Sequence, residues 1–356
     1  MAPEAQLLLR HLRSAPGAPG PALFVVNCPG APAARALIER VPDARVVFFH
    51  DDYALHRAVR DCSGKDAGRI ASIFAAWHDP GDEKYPSGIV FLPRERALLE
   101  MTLIMAAAAL RRQAPVWLTG SIRGGARSAR APIERFLGAV KSTRAARHSV
   151  LYLAETPASA ALAAGLDGFA RDYAFDFLGN TVNVVSLPGV FSHARLDPGT
   201  RLLLDTVASL KPGGARVLDF GCGSGAVGTA LGLAWRSAKI DMVDSSARAL
   251  EASRRTLAAN GLDPGLAKAS DAFSDVTDRY DLILSNPPFH SGAATDRRAV
   301  EGLVREASSH LLPGGRLRLV ANHFLKYGPL LKAGVGNASV VAEDASYRVH
   351  EALALR

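Results

Sequence analysis

The tightest constraint on this chain lies in residues 215–236. The apolar run Ala215-Arg-Val-Leu-Asp-Phe220 enters Gly221-Cys-Gly-Ser-Gly225, and helix formers with one apolar face follow from Ala226 to Arg236. That order reads as strand, tight turn, helix. Glycine tolerates positive φ and lets a ligand approach the bare backbone. A second strand, Lys239-Ile-Asp-Met-Val243, ends at Asp244, and Ser246 is a good N-cap for a helix through Asn260 that Gly261 stops. Further strands are expected around Gly265–Lys268, at Asp281–Ser285 and at Arg316–Val320, with a helix from Asp296 to Leu311 that Pro313-Gly-Gly315 closes. Residues 338–342 and 347–355 read as a terminal antiparallel pair. Strands alternating with helices imply a mostly parallel sheet covered on both faces.

The chain has 356 residues, and ~150 residues per domain suggests two domains. The first half repeats the plan of the second. Ala22–Val26, Arg45–His50 and Ile89–Leu92 read as strands, and the helix Ala97–Arg112 with the strand Pro115–Thr119 matches the later helix–strand pair in order and size. Its first turn, however, reads Asn27-Cys-Pro-Gly-Ala-Pro, with one glycine where the other half has three. A duplicated α/β domain whose first copy has lost its site is the expected architecture, with domains at 1–165 and 175–356. Residues 173–187 read as two short strands after an Ala/Gly-rich linker.

Composition narrows the partners. Hydrophobic residues make up 48% and charged residues 21%, which favours a folded chain. The net charge of +8 favours a polyanion. Three scattered cysteines form no CxxC pair or Cys/His cluster, so no metal is expected and a reducing compartment fits. The most apolar window, Met101–Leu110, is too short for the ~20 residues a membrane span needs. No signal-peptide core is seen at the N-terminus, and a cytoplasmic protein without a membrane role is expected.

Three groups of residues carry chemistry. The glycine turn with Asp244 at the next strand end, ~20 residues on, reads as a site for a nucleoside-bearing ligand, the acid accepting both ribose hydroxyls. Its spacing differs from dinucleotide and P-loop patterns. Asp271 suits either an adenine amine or a turn cap, and Asp219 either orients the glycine turn or meets a ligand amine. Second, Asn286-Pro-Pro-Phe289 ends a buried strand at the same sheet edge. The Asn286 side-chain oxygen and the Pro287 carbonyl can accept both hydrogens of a planar amine and aim its lone pair at a methyl donor. The prolines fix the corner, and Phe289 can stack on a base. Third, residues 111–147 hold nine Lys or Arg against one acid, Glu134. Arg123, Arg127 and Arg130, beside Gly124-Gly125, suit RNA phosphates or else form a solvated basic face.

At these residues the chain resembles class I S-adenosylmethionine-dependent methyltransferases, with DFGCGSG as first motif and NPPF as the amine-methylating motif. LPGVFSHARLDPGTRLLLDT, ASRRTLAANG, SNPPFHSG and VANHFLKY narrow the resemblance to the ribosomal RNA small-subunit methyltransferase C family. GSIRGGARSA extends it, more loosely, into the first half. The resemblance implies two tandem Rossmann-like methyltransferase domains, the first without cofactor. It implies methyl transfer from S-adenosylmethionine, leaving S-adenosylhomocysteine, to guanine N2 of 16S ribosomal RNA in the small ribosomal subunit. It further implies that Gly221, Gly223 and Gly225 cradle the methionine part, Asp244 the ribose and Asp271 the adenine amine. The Phe191 to Asp197 segment would close over the cofactor, and Asn286, Pro287, Pro288 and Phe289 would hold the guanine. Alternatives are guanine-N2 methylation of large-subunit RNA, glutamine methylation in a protein, adenine-N6 methylation of DNA, or a non-catalytic RNA-binding assembly factor.

Overall fold

The computed structural model describes residues 1–12, 20–63, 68–158, 165–210, 213–287 and 293–354, the side chains of 62–63 and 293–299 excepted. The chain divides into two compact units, Met1–Phe169 and Ala170–Arg356. In the first, seven strands form one sheet: β1 (Ala22–Val26), β2 (Arg45–His50), β3 (Ile70–Phe74), β4 (Ser87–Phe91), β5 (Pro115–Ser121), β6 (Ala139–Ala146) and β7 (Ser149–Glu155), in the order β3-β2-β1-β4-β5-β7-β6. In the second, a hairpin of β8 (Arg171–Phe177) and β9 (Asn180–Ser186) precedes a second seven-stranded sheet. That sheet comprises β10 (Arg216–Phe220), β11 (Lys239–Asp244), β12 (Ala267–Ala269), β13 (Tyr280–Ser285), β14 (Leu311–Asn322), β15 (Gly336–Glu343) and β16 (Tyr347–Ala354), in the order β12-β11-β10-β13-β14-β16-β15. Each sheet is parallel except for its last two strands in sequence, which form an antiparallel pair at one edge.

The two topologies are the same, and the register makes the duplication concrete. Ala22 pairs with Arg45 as Arg216 pairs with Lys239, so a shift of 194 residues (216 − 22 and 239 − 45) aligns both strand pairs. Under that shift Asp219 falls on Val25, Gly221 on Asn27, Gly223 on Pro29, Gly225 on Ala31 and Asp244 on His50. The first unit thus keeps the sheet and carries none of the groups singled out in the second. His50, in the place of the acid, is buried against Phe48, and burial pushes its imidazole down to about 4.

Both faces of the central parallel strands are covered, which is why β1, β4, β10 and β13 read as nearly unbroken apolar runs. In β1, Leu23 and Val25 pack with the helices Pro3–His11 and Ala31–Arg40, while Phe24 and Val26 face the helix Arg96–Ala109. In the second unit, Leu218, Ile283 and Leu317 pack against Val300, Leu303 and Leu331.

The structure departs from the sequence reading at several elements. The helix expected to reach Arg236 ends at Ala234, and the one expected to reach Leu311 ends at Ala307. Pro313-Gly-Gly315 lies inside β14, where pairing with β13 slips between Tyr280 and Leu282, rather than outside the strand. The strands β3, β6 and β7 and the first helix had no expectation. Seven of the eight β6 residues are exposed, so β6 lacks the alternation that marks a strand. Its turn to β7 is Arg147-His148, both at positive φ (50° and 60°), a conformation usually signalled by Asn-Gly.

Gly225 sits at φ 80°, and a Cβ there would lie 3.0 Å from the Ser253 Cα and from the Met242 Cε. Gly225→Ala is therefore expected to lower the urea stability of the protein by about 2 kcal/mol or more, combining left-handed strain and overpacking. An unchanged denaturation midpoint would contradict this packing.

Candidate active site

Because β10, β11, β12 and β13 run parallel, the segments that follow them emerge at one edge. There they border a pocket of about 390 Å³ lined by Phe191, Gly221, Gly223, Asp244, Asp271 and Asn286, together with Phe220, Val243, Ser246 and Ser270. The volume falls within the range of roughly 300–1,000 Å³ usual for small-molecule sites.

The glycine turn is held from below. Gly221 and Cys222 donate their N–H groups to the Val243 carbonyl, and Ser253 donates its hydroxyl to the Gly223 carbonyl at 2.9 Å. Gly221 and Gly223 have φ of 72° and 56°, and nothing lies within 4 Å of where their Cβ atoms would be. Bare backbone therefore faces the pocket, as a close-lying ligand requires. Gly225 is outside the wall, and its glycine serves packing.

Asp244 accepts from the Gly223 N–H at 2.9 Å and from the Ser246 N–H at 2.8 Å, which fixes its carboxylate on the pocket wall. Asp271 is exposed on the same wall. Asp219 lies elsewhere: it is buried and accepts from the Gly228 N–H at 2.9 Å, tying the start of the helix Ala226–Ala234 to β10. Burial pushes its carboxyl up to about 7, against the lowering effect of the Gly228 N–H, and the Asp244 charge adds to the rise.

Asn286 follows β13 and lines the pocket. Its Nδ2 donates to the Asp197 Oδ2 at 3.0 Å and to the Thr200 Oγ1 at 2.8 Å. Asp197 is not on the pocket wall: it caps the helix Pro198–Val207, accepting from the Thr200 N–H at 2.9 Å. At the far end of that helix, Arg318 donates to the Thr206 carbonyl while pairing with Glu351 at 2.7 Å. Thr200 was not singled out from the sequence, although Asp-Pro-Gly-Thr carries the signal of an N-cap followed by proline.

Pro287 is buried next to Asn286, whereas Pro288 and Phe289 lie outside the described residues. In the first unit Arg123 and Arg127 are exposed, on a turn anchored by the Tyr152 hydroxyl, which donates to the Ala126 and Arg127 carbonyls. Arg130 is exposed too but pairs with Glu134 at 3.1 Å. Among the described residues no cluster of His, Cys, Asp and Glu could hold a metal, and no helix is long and apolar enough to cross a membrane.

The donor set fits S-adenosylmethionine. Two uncovered glycine backbones, a fixed carboxylate one strand over and an aromatic wall at Phe191 match an amino-acid tail, a ribose and a purine.

Comparison with known proteins agrees. Residues 181–351 match the family model "Methyltransferase small domain", and residues 6–173 match "Methyltransferase small domain N-terminal". Two proteins called ribosomal RNA small subunit methyltransferase C are close relatives. One, from Pseudomonas aeruginosa (strain LESB58), is 41% identical, and the other, from Pseudomonas putida (strain GB-1), is 38% identical, each alignment covering 99% of both chains. Among solved structures, a T. Thermophilus 16S rRNA N2 guanine-1207 methyltransferase in complex with AdoMet and guanosine superposes with a TM-score of 0.82 at 26% identity, covering 99% of this chain and 92% of that one.

The raised Asp219 carboxyl predicts a pH effect. Stability that rests on its protonated form is complete below about pH 4 and is lost as pH rises through about 7. Wild-type melting temperature should therefore fall relative to Asp219→Asn between about pH 4 and about pH 7 and run level with it above that. Parallel melting curves over that window would contradict the assignment.

Proposed function

This chain belongs to the ribosomal RNA small subunit methyltransferase C family, and from that premise we propose how its residues act and on what. The enzyme transfers a methyl group from S-adenosylmethionine to the exocyclic N2 amine of a guanine in 16S ribosomal RNA. Ribosomal RNA as substrate supports a cytoplasmic location, and the assembled small ribosomal subunit is the form of that RNA we favour. The observation that carries the residue-level reading is the placement of Asn286. Its amide nitrogen is committed to Asp197 and Thr200, at a pocket that also exposes Gly221, Gly223 and Asp244.

S-adenosylmethionine supplies, when bound, a methyl carbon on a positively charged sulfur; the amine lone pair forms the N–C bond, the C–S electrons return to sulfur, and S-adenosylhomocysteine is left. The chain's own residues prepare the amine. Guanine N2 is a poor nucleophile because its lone pair is delocalised into the ring. Asn286 Oδ1 and the Pro287 carbonyl each accept one N–H, which draws the nitrogen towards a pyramidal shape and frees the lone pair. The positive charge that develops on nitrogen is stabilised by the same two oxygens, already in place before reaction. The extra proton on the methylated nitrogen then leaves to water. Gly221 and Gly223 hold the amino-acid tail of the cofactor, Asp244 its ribose and Asp271 its adenine amine, with Phe191 over it. Phe289 stacks on the guanine.

A guanine within RNA must leave its stack to reach this edge. Arg123 and Arg127, exposed on the first unit, supply phosphate contacts. Arg130 contributes less, because Glu134 already neutralises it. A glutamine side chain would satisfy the same oxygens, but the relatives are named for ribosomal RNA.

Transfer of tritiated methyl to free 16S RNA and to each isolated subunit, followed by nucleoside analysis, tests the reading. N2-methylguanosine in small-subunit RNA is expected; label only in protein or in another nucleoside would overturn it. Asn286→Ala should lower kcat by about 10²–10³ while leaving cofactor affinity within about twofold. Asp244→Ala should weaken cofactor binding about tenfold or more by calorimetry. Reversing Arg123 and Arg127 to Glu together should weaken RNA binding and flatten its salt dependence in a filter assay. Unchanged RNA retention would remove the phosphate contacts from the account.

A further inference from the structure

An amide can present either its oxygen or its nitrogen to a ligand, and only the oxygen can accept from an amine. Asn286 has that choice removed. Both groups behind it can accept from Nδ2, and the carboxylate can do nothing else. Asp197 Oδ2 is a carboxylate oxygen 3.0 Å from Nδ2. Thr200 Oγ1, 2.8 Å from Nδ2, has lone pairs free to accept from it, and the same Asp197 oxygen lies 3.4 Å from that hydroxyl. A flipped amide would set its oxygen 3.0 Å from the Asp197 carboxylate oxygen, which has no hydrogen to give.

The corner is built to hold this arrangement. Asp197 and Thr200 are each 7% exposed. The Tyr347 hydroxyl reaches the other Asp197 oxygen at 3.5 Å. Gly199 lies between them, and a Cβ there would come within 2.9 Å of the Tyr347 ring and 3.0 Å of Asp197 Oδ2. The corner therefore closes only around glycine.

We propose that Asp197 and Thr200 are positioning residues for methyl transfer: they lock the Asn286 amide with Oδ1 towards the substrate and, through the Asp197 charge, strengthen that oxygen as an acceptor. The inference rests on the methyl-transfer reading above. A negative charge hydrogen-bonded to Nδ2 pushes electron density onto Oδ1, and such charge-assisted bonds are about twice as strong as neutral ones. The benefit grows as positive charge develops on the substrate nitrogen, so it enters kcat rather than cofactor affinity. Asp197 thus acts through Asn286 and not as part of the cofactor wall.

Three variants test this. Asp197→Asn keeps the size and the helix cap but removes the charge. Thr200→Val keeps the shape but removes the acceptor, and Thr200→Ser restores the acceptor. Full-length proteins are assayed for kcat on small-subunit RNA, for S-adenosylmethionine affinity by calorimetry and for melting temperature. Asp197→Asn and Thr200→Val should each lower kcat about tenfold or more with cofactor affinity within about twofold, and Thr200→Ser should recover most of the loss. Wild-type kcat in Asp197→Asn and Thr200→Val overturns the proposal, as does weakened cofactor binding with kcat intact. If Asp197→Asn does not fold, the valine–serine comparison decides alone, and equal kcat in those two overturns it. A wild-type enzyme that fails to methylate guanine would instead remove the functional reading itself.

Discussion

The pairing of β10 with β11 on one side and β13 on the other is the constraint from which the site follows. Parallel strands deliver their carboxyl ends to one edge. Three turns distant in sequence therefore meet: the glycine turn after Phe220, the acid ending β11 and the asparagine after Ser285. The register tightens the arrangement further. Gly221 and Cys222 both donate to the Val243 carbonyl, and Asp244 returns a bond to the Gly223 N–H. The glycine turn is thus held in place by the neighbouring strand.

The first unit shows what this sheet amounts to without those groups. The strand order and the β1–β2 register are retained, yet Asn27, Pro29, Ala31 and His50 stand where Gly221, Gly223, Gly225 and Asp244 stand in the second unit. At the position that Asp244 fills with a carboxylate, the first unit carries a buried neutral imidazole. Fold and chemistry have separated here, and the sheet survives because its apolar strands and their covering helices do not depend on the turn residues.

Much of this was legible in the sequence because it rested on local signals. Ser246 caps its helix as expected, accepting from the Ala249 N–H, and Asp244 ends its strand beside the glycine turn. What stayed hidden depended on tertiary placement. β6 is an edge strand with little buried surface, and its turn uses Arg147-His148 in place of the usual Asn-Gly. Nothing local in Asp197 or Thr200 announces that they lie behind Asn286, since that contact joins residues 89 and 86 positions apart. Asp219 had two open readings, and its burial against Gly228 favours the one in which it orients the turn.

The central claim is geometric: Asn286 Oδ1 and the Pro287 carbonyl hold a guanine amine with its lone pair towards the methyl donor. A crystal structure of the wild-type protein with S-adenosylhomocysteine and guanosine tests it directly. The account predicts both oxygens within hydrogen-bonding distance of N2, on the side of the nitrogen away from the cofactor sulfur, with Nδ2 still bonded to Asp197 and Thr200. A guanine bound with N2 away from these oxygens, or an Asn286 amide turned with its nitrogen towards the base, would contradict it.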